Sequence, residues 1–117
     1  MTRGQPEAAR LPPPGLADLE PRWSRLISVP GTDGVGRTWP VLDNQGAAPQ
    51  LTLLCVHGTP SWSYLFRGLL RRAPEGVRVV AVDQLEMGYS ERSGTPRRLA
   101  TRVDDLCDLT SAMGIVG

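Results

Sequence analysis

Two nearly continuous apolar hexads, Leu51-Thr52-Leu53-Leu54-Cys55-Val56 and Val77-Arg78-Val79-Val80-Ala81-Val82, constrain this chain more than any other feature. Runs of that length without polar alternation suit strands covered on both faces, as in a parallel sheet, because a strand with one wet face alternates. Parallel neighbours need a crossover, and the segment between the hexads supplies one. Trp62, Leu65, Phe66, Leu69 and Leu70 recur at helical spacing as one stripe, while Ser63, Arg67 and Arg71 face away. Thr59 and Pro60 suit the N-cap and first helical position, since a Thr hydroxyl can accept an orphan N–H and Pro loses no bond there. The pattern predicts a βαβ unit with a right-handed crossover.

Upstream, Leu26, Ile27 and Val29 form a short strand-like run. Turn-forming residues follow from Pro30 to Gly34, and Arg37 to Leu42 resumes with Trp39 and Val41, which predicts an antiparallel hairpin. Asn44 to Gln50 is a polar loop. Residues 1–21 contain Pro12-Pro13-Pro14-Gly15 and few large apolar side chains, so they are expected as a flexible Pro-rich tail or extended arm, leaving 22–117 as the folding unit. Downstream, Asp83 to Gly94 is a polar loop, and Thr95-Pro96 repeats the start of a helix. Its expected inner face is Leu99, Val103, Leu106, Thr110 and Met113, closed by Gly114. Ile115-Val116-Gly117 reads as the approach to another strand.

Composition narrows the partners. With 117 residues, 13 Arg and Lys against 12 Asp and Glu and a formal charge of +1, the chain has no clustered cationic face for nucleic acid or an anionic membrane. No apolar run approaches the ~20 residues that cross a bilayer, and the first fifteen residues hold no signal-peptide core, so a cytoplasmic location is expected. The two cysteines, Cys55 and Cys107, read as small buried hydrophobes rather than a bridge or metal pair. No His/Cys/Asp cluster has ligand spacing, so no metal and no organic cofactor is expected.

The candidate chemistry lies in His57-Gly58-Thr59-Pro60, at the end of one buried strand. In open α/β sheets ligands bind beyond the carboxyl ends of strands, so a site is expected at this turn. Glycine lets the backbone approach a ligand, and N–H groups at a helix start serve as anion donors. The N–H after His-Gly can therefore stabilise an oxyanion, although the same spacing also fits a plain strand-to-helix turn.

At this point a family becomes recognisable. His57-Gly58-Thr59-Pro60-Ser61-Trp62-Ser63-Tyr64-Leu65-Phe66-Arg67, followed by Asp83-Gln84-Leu85-Glu86-Met87-Gly88-Tyr89-Ser90-Glu91-Arg92, resembles the N-terminal part of the α/β-hydrolase fold. It is similar in particular to the haloalkane-dehalogenase-like branch, with its H-G-x-P-x-W-S motif and D-x-x-G-x-G-x-S loop. The resemblance covers roughly Trp23 to Met113. It implies that the Thr59 backbone N–H belongs to the oxyanion hole, that His57 and Gly58 shape the turn, and that Pro60 opens the first helix. It also implies a structural His57 that holds the loop by hydrogen bonds, and turn-forming roles for Asp83 and Ser90. A small-molecule substrate is implied for the complete enzyme.

Two residues depart from the family pattern. Thr59 stands where the dehalogenases commonly carry Asn or Glu, and its shorter hydroxyl donor weighs against dehalogenation. Glu86 stands where the pattern has Gly, a sign that positive φ is needed, at a cost for Glu of about 1 kcal/mol.

The family places its nucleophile on an elbow after the next strand, then the acid, then the catalytic His. No G-x-S-x-G or G-x-D-x-G elbow occurs here, so none of the triad is expected among these residues. Pairing His57 with Ser61, Ser63 or Ser90 would not replace it, since none of the three has strand-turn-helix context. Trp62, on the expected helical stripe, reads as core rather than substrate wall.

The resulting expectation is the N-terminal segment of an α/β-fold hydrolase that cleaves a C–X, ester, lactone or epoxide bond through a covalent ester. This segment would provide the oxyanion-hole turn without the triad, and would be inactive alone. The alternative is a non-catalytic truncated or split-gene product that needs a partner chain or is inactive. An unrelated βαβ binding domain would require both motifs to be coincidence. With nothing beyond it, the Leu51–Val56 strand would be a sheet edge open to self-association.

Overall fold

The computed structural model describes residues 6–45, 49–59, 61–94 and 97–115. A 3₁₀ turn, Pro21–Trp23, leads into β1 (Ser24–Val29), followed by β2 (Arg37–Asp43) and β3 (Leu51–Val56). A 3₁₀ turn at Ser63–Phe66 runs into the short helix α1 (Arg67–Arg72), then come β4 (Val77–Val82) and α2 (Leu99–Met113). The strands form one mixed sheet in the order β1-β2-β4-β3. β1 and β2 are the expected antiparallel hairpin, and β3 and β4 pair in parallel with Leu51 opposite Val77 and Val56 opposite Val82. β2 meets β4 only at Val41–Asp43. Pro40, which has no N–H to give, stands just before that contact.

The apolar hexad of β4 is explained by its neighbours on both sides. Val80 and Val82 pack with Val29, Trp39, Val41, Leu85 and Leu109 on the α2 side. Val79 and Ala81 pack with Trp23, Leu42, Cys55 and Leu70 on the α1 side. Alternate residues of one strand thus feed two cores, so neither face can be polar. β3 pairs with β4 alone among the described residues, and Leu51 and Val56 are exposed on that edge.

Asp43 closes the sheet at one end. Its fully buried carboxylate accepts from Arg78 Nε at 3.1 Å and Nη2 at 2.7 Å, from Arg25 Nη2, and from the Gln45 N–H at 2.8 Å. Burial pushes this carboxyl up, but the bonds from Arg78, the Gln45 N–H and Arg25 outweigh it and hold it below the ordinary value. One carboxylate therefore ties β1, β2 and β4.

Both helices differ from the periodicity reading. The first was expected from Thr59-Pro60 with a stripe from Trp62 to Leu70. Instead Trp62 is extended, at φ −163° and ψ 175°, and helical structure begins at Ser63. The Ser63 N–H is satisfied at 2.7 Å by the Asp83 carboxylate from the far side of the crossover, so no local cap is required. The tighter 3₁₀ winding of the first turn then leaves Phe66 and Leu70 facing the sheet, with Leu65 61% and Leu69 41% exposed. Pro60 lies outside the described residues.

α2 begins at Leu99, and Thr95-Pro96 lies outside the described residues. Its inner face is rotated from the expected one: Leu109 is fully buried, Leu106 and Met113 pack on the core, and Leu99 and Val103 are exposed. The rotation turns Asp105 inward. It can do so because Arg97 grips it through Nε at 2.5 Å and Nη2 at 2.6 Å, while Arg102 donates to Leu85 O at 2.9 Å. Cys55 is buried as expected, and burial pushes its thiol up. Cys107 is exposed, because the same rotation carries it to the outer face of α2. No helix among the described residues is long and apolar enough to cross a membrane.

Candidate active-site turn

The carboxyl ends of β3 and β4 lie side by side because Val56 opposes Val82. The next residues are laced together through His57, which is 3% exposed. His57 Nε2 accepts the Gln84 backbone N–H at 3.0 Å. The ring proton is therefore on Nδ1, which donates to Gly58 O at 2.8 Å. Gln84 Nε2 returns a bond to His57 O at 2.7 Å. Both ring nitrogens are thus committed to backbone groups, and His57 is not placed as a base for Ser61, Ser63 or Ser90. Gln84 was not singled out in the sequence, since nothing local marks it; only strand register brings it to His57.

Beyond this lock the chain comes to the surface. Gly58 and Thr59 are exposed. The Thr59 hydroxyl does not cap a helix, and instead points to Met87 Sδ at 3.9 Å. The 83–92 loop therefore lies over the turn, and its shape depends on three unusual residues. Asp83, 1% exposed, accepts from the Ser63 N–H through Oδ1 and from the Tyr89 N–H at 2.9 Å through Oδ2. Gly88 has φ +55°, and a Cβ there would stand 2.5 Å from Asp83 Oδ2 and 2.8 Å from Trp62 Cβ. Only glycine permits that approach.

Glu86 has φ +72°, the left-handed conformation anticipated for this position. Its carboxylate accepts from the Ser93 N–H at 2.7 Å, the Gly94 N–H at 3.0 Å and Ser93 Oγ at 3.1 Å. Ser90 is buried, and its N–H closes a turn onto Met87 O at 3.1 Å.

Trp62 was expected in the core, yet it belongs to neither core cluster. Its ring stacks on Tyr64 at 5.1 Å and meets Tyr89 edge-on at 5.1 Å, because its extended backbone turns it away from the sheet and along the loop. Among the described residues, no group of three or more His, Cys, Asp or Glu side chains could hold a metal ion.

The arrangement is an exposed turn beyond the parallel strands, anchored by a buried histidine and touched at one side by a methionine. The fold around it is shared with known enzymes. Haloalkane dehalogenase DpaA from Paraglaciecola agarilytica NO2, whose structure is tetrameric, superposes with a TM-score of 0.71 and 25% identity, covering 92% of this chain and 38% of that one. Cis-3-alkyl-4-alkyloxetan-2-one decarboxylase of Xanthomonas campestris pv. campestris is 33% identical over 82 residues, covering 63% of this chain and 27% of that protein. Haloalkane dehalogenase 2 of Mycobacterium bovis is 37% identical over 81 residues, covering 69% of this chain and 24% of that protein. No family model matches the chain. It spans about a quarter of the length of the curated relatives it matches. The chain corresponds to the N-terminal, haloalkane-dehalogenase-like portion of the α/β-hydrolase fold.

Proposed function

We propose that this chain supplies the oxyanion-hole turn of an α/β-fold hydrolase acting on a C–X, ester, lactone or epoxide bond, with the Thr59 backbone N–H as donor. The observation that carries this reading is the lock on His57. By fixing His57 O and Gly58 O through Gln84 and the imidazole ring, it leaves the following exposed turn preorganised, as charge stabilisation in a transition state requires. An Asp carboxylate, or a Ser hydroxyl giving up its proton to the His, would form a covalent ester as the C–X or C–O bond breaks and the halide or alkoxide departs or ring-opens. A His-activated water would hydrolyse that ester. The Thr59 N–H would take the developing negative charge at the tetrahedral stage. His57 is the chain's single histidine, and both its ring nitrogens are engaged by backbone groups, which supports a reading in which another segment supplies the activating base. The same fact supports the second reading, a non-catalytic product that needs a complementary chain.

The test is to assay two proteins with haloalkanes, a β-lactone, an epoxide and a p-nitrophenyl ester. One is the 117-residue chain, and the other is the product of the longest open reading frame that contains it. The chain alone is expected to turn over none of them. The longer product is expected to act on one class, and Thr59→Pro, which deletes the N–H, should lower its kcat by about 10²–10³-fold. Turnover by the chain alone, or a Thr59→Pro enzyme of unchanged kcat, would overturn the reading. If that reading frame is no longer than this chain and inactive, the non-catalytic alternative stands instead.

A further inference from the structure

Residues 6–20 run from the 83–92 loop, which touches the 57–59 turn at Met87, back to the first helix, and are fastened at several points along the way. Glu7 and Arg92 form an antiparallel bridge, the Glu7 N–H donating to Arg92 O at 2.9 Å and the Arg92 N–H to Glu7 O at 2.8 Å. The Arg10 N–H donates to Tyr89 O at 3.0 Å, and its guanidinium lies 5.1 Å from the Tyr89 ring centroid. Farther along, the Tyr64 hydroxyl donates to Ala17 O at 2.6 Å, Asp18 pairs with Arg71 at 3.5 Å, and Leu19 packs against the Trp23 core.

The two loop residues that the arm grips also brace the loop itself. Arg92 donates from Nη1 to Glu86 O at 2.6 Å and from Nη2 to Gly88 O at 2.7 Å. The Tyr89 N–H is held by Asp83, and the Tyr89 ring abuts Trp62, which stacks on Tyr64. Tyr64 in turn carries the bond to Ala17. The arm therefore closes a circuit: from Glu7 and Arg10 to the loop, through the aromatic stack, and back to its own far end. Inside that circuit Met87 rests on Thr59.

We propose that residues 6–20 form a strap that positions the 86–92 loop, and so sets how open the Thr59 turn is. Docked, the strap holds Arg92 where its guanidinium ties Glu86 and Gly88 together. Released, it takes away the backbone bonds to Arg92 and Tyr89 at once, leaving the loop that carries Met87 braced by its internal bonds alone. The strap is a property of the fold and stands whether or not the Thr59 N–H serves a reaction. Only its consequence for access rests on the proposed function.

Amide hydrogen exchange on the full chain reads this directly. In the unsubstituted protein the Glu7, Arg10 and Arg92 amides should share one protection factor, as members of one opening unit. Glu7→Pro removes a bridge donor and should speed Arg92 exchange by about tenfold, the equivalent of one net hydrogen bond, while the Val79–Val82 amides stay unchanged. Tyr64→Phe, at the far anchor, should speed Arg10 and Arg92 as well. Arm amides exchanging at unstructured rates, or an Arg92 amide indifferent to both substitutions, would overturn the strap. A protein with normal strap exchange and a Thr59→Pro form of unchanged kcat would instead reject only the oxyanion assignment.

Discussion

Glu86→Gly sets two opposing effects against each other at one residue. Glu86 occupies the left-handed region at φ +72°, where an L side chain costs about 1–2 kcal/mol and glycine costs nothing sterically. By that effect alone the substitution stabilises. Against it, the carboxylate accepts from two backbone N–H groups and one hydroxyl of Ser93 and Gly94. These bonds are half-buried, so the freed donors regain some water, and each is worth about 1 kcal/mol rather than a full desolvation penalty. Glycine also brings about 0.5–1 kcal/mol of extra unfolded-chain entropy. The sum is about 3.5 kcal/mol lost against about 1.5 gained, a net destabilisation of about 2 kcal/mol.

Glu86→Ala loses the same bonds and keeps the strain, so it should fall roughly 1 kcal/mol below Glu86→Gly. Urea unfolding followed by tryptophan fluorescence measures both. With a slope of about 1–3 kcal/mol/M, the glycine midpoint should drop by about 1 M at unchanged slope. A glycine variant more stable than the unsubstituted chain would refute the weight given to the carboxylate. An alanine variant equal to glycine would refute the left-handed backbone.

Three further outcomes are expected. His57→Ala strands the buried Gln84 N–H and should cost about 2–3 kcal/mol, read as a thermal midpoint lowered by roughly 10 °C. The side-chain bond from Arg37, helped by the Val35 N–H, holds the Asp33 carboxyl at about 2 against its ordinary 3.8. Its contribution to stability is complete above the ordinary value and is lost as pH falls through about 2, so Asp33→Asn should flatten the stability profile between those two values, with carbon-detected NMR following the titration itself. At the β3 edge, where Leu51 is 53% exposed, self-association should appear in sedimentation velocity as the concentration rises; Leu51→Lys should weaken it, and a concentration-independent monomer would refute an adhesive edge.

Much of the fold was legible because its signals are local and repeated. Val77–Val82 announces a strand covered on both faces, and the β1–β2 pairing follows from turn residues between apolar runs. At the site, it was the resemblance to the α/β-hydrolase family, not local spacing, that implied a structural His57 and a left-handed position at Glu86. The failures are equally specific. Trp62 was assigned to a helical stripe that starts one residue later, and α2 turned Leu99 and Val103 outward while drawing Asp105 in. In both cases a partner distant in sequence decided the matter: Asp83 capping Ser63 in the first, Arg97 and Leu85 O receiving α2 in the second.

Sequence alone determined which segments are strands, where the β3 strand hands over to the turn, and that residues 57–59 stand at the carboxyl end of a parallel pair. Those depend on apolar periodicity and on the conformational limits of Gly and Pro, which act over a few residues. The tertiary structure decided which helix faces are buried, which ring nitrogen of His57 carries the proton, and that Glu7 and Arg10 are drawn onto the 83–92 loop. These depend on hydrogen-bond donors and acceptors that find each other only after the sheet has set its register. A buried polar group must be paired, but the sequence does not say by whom.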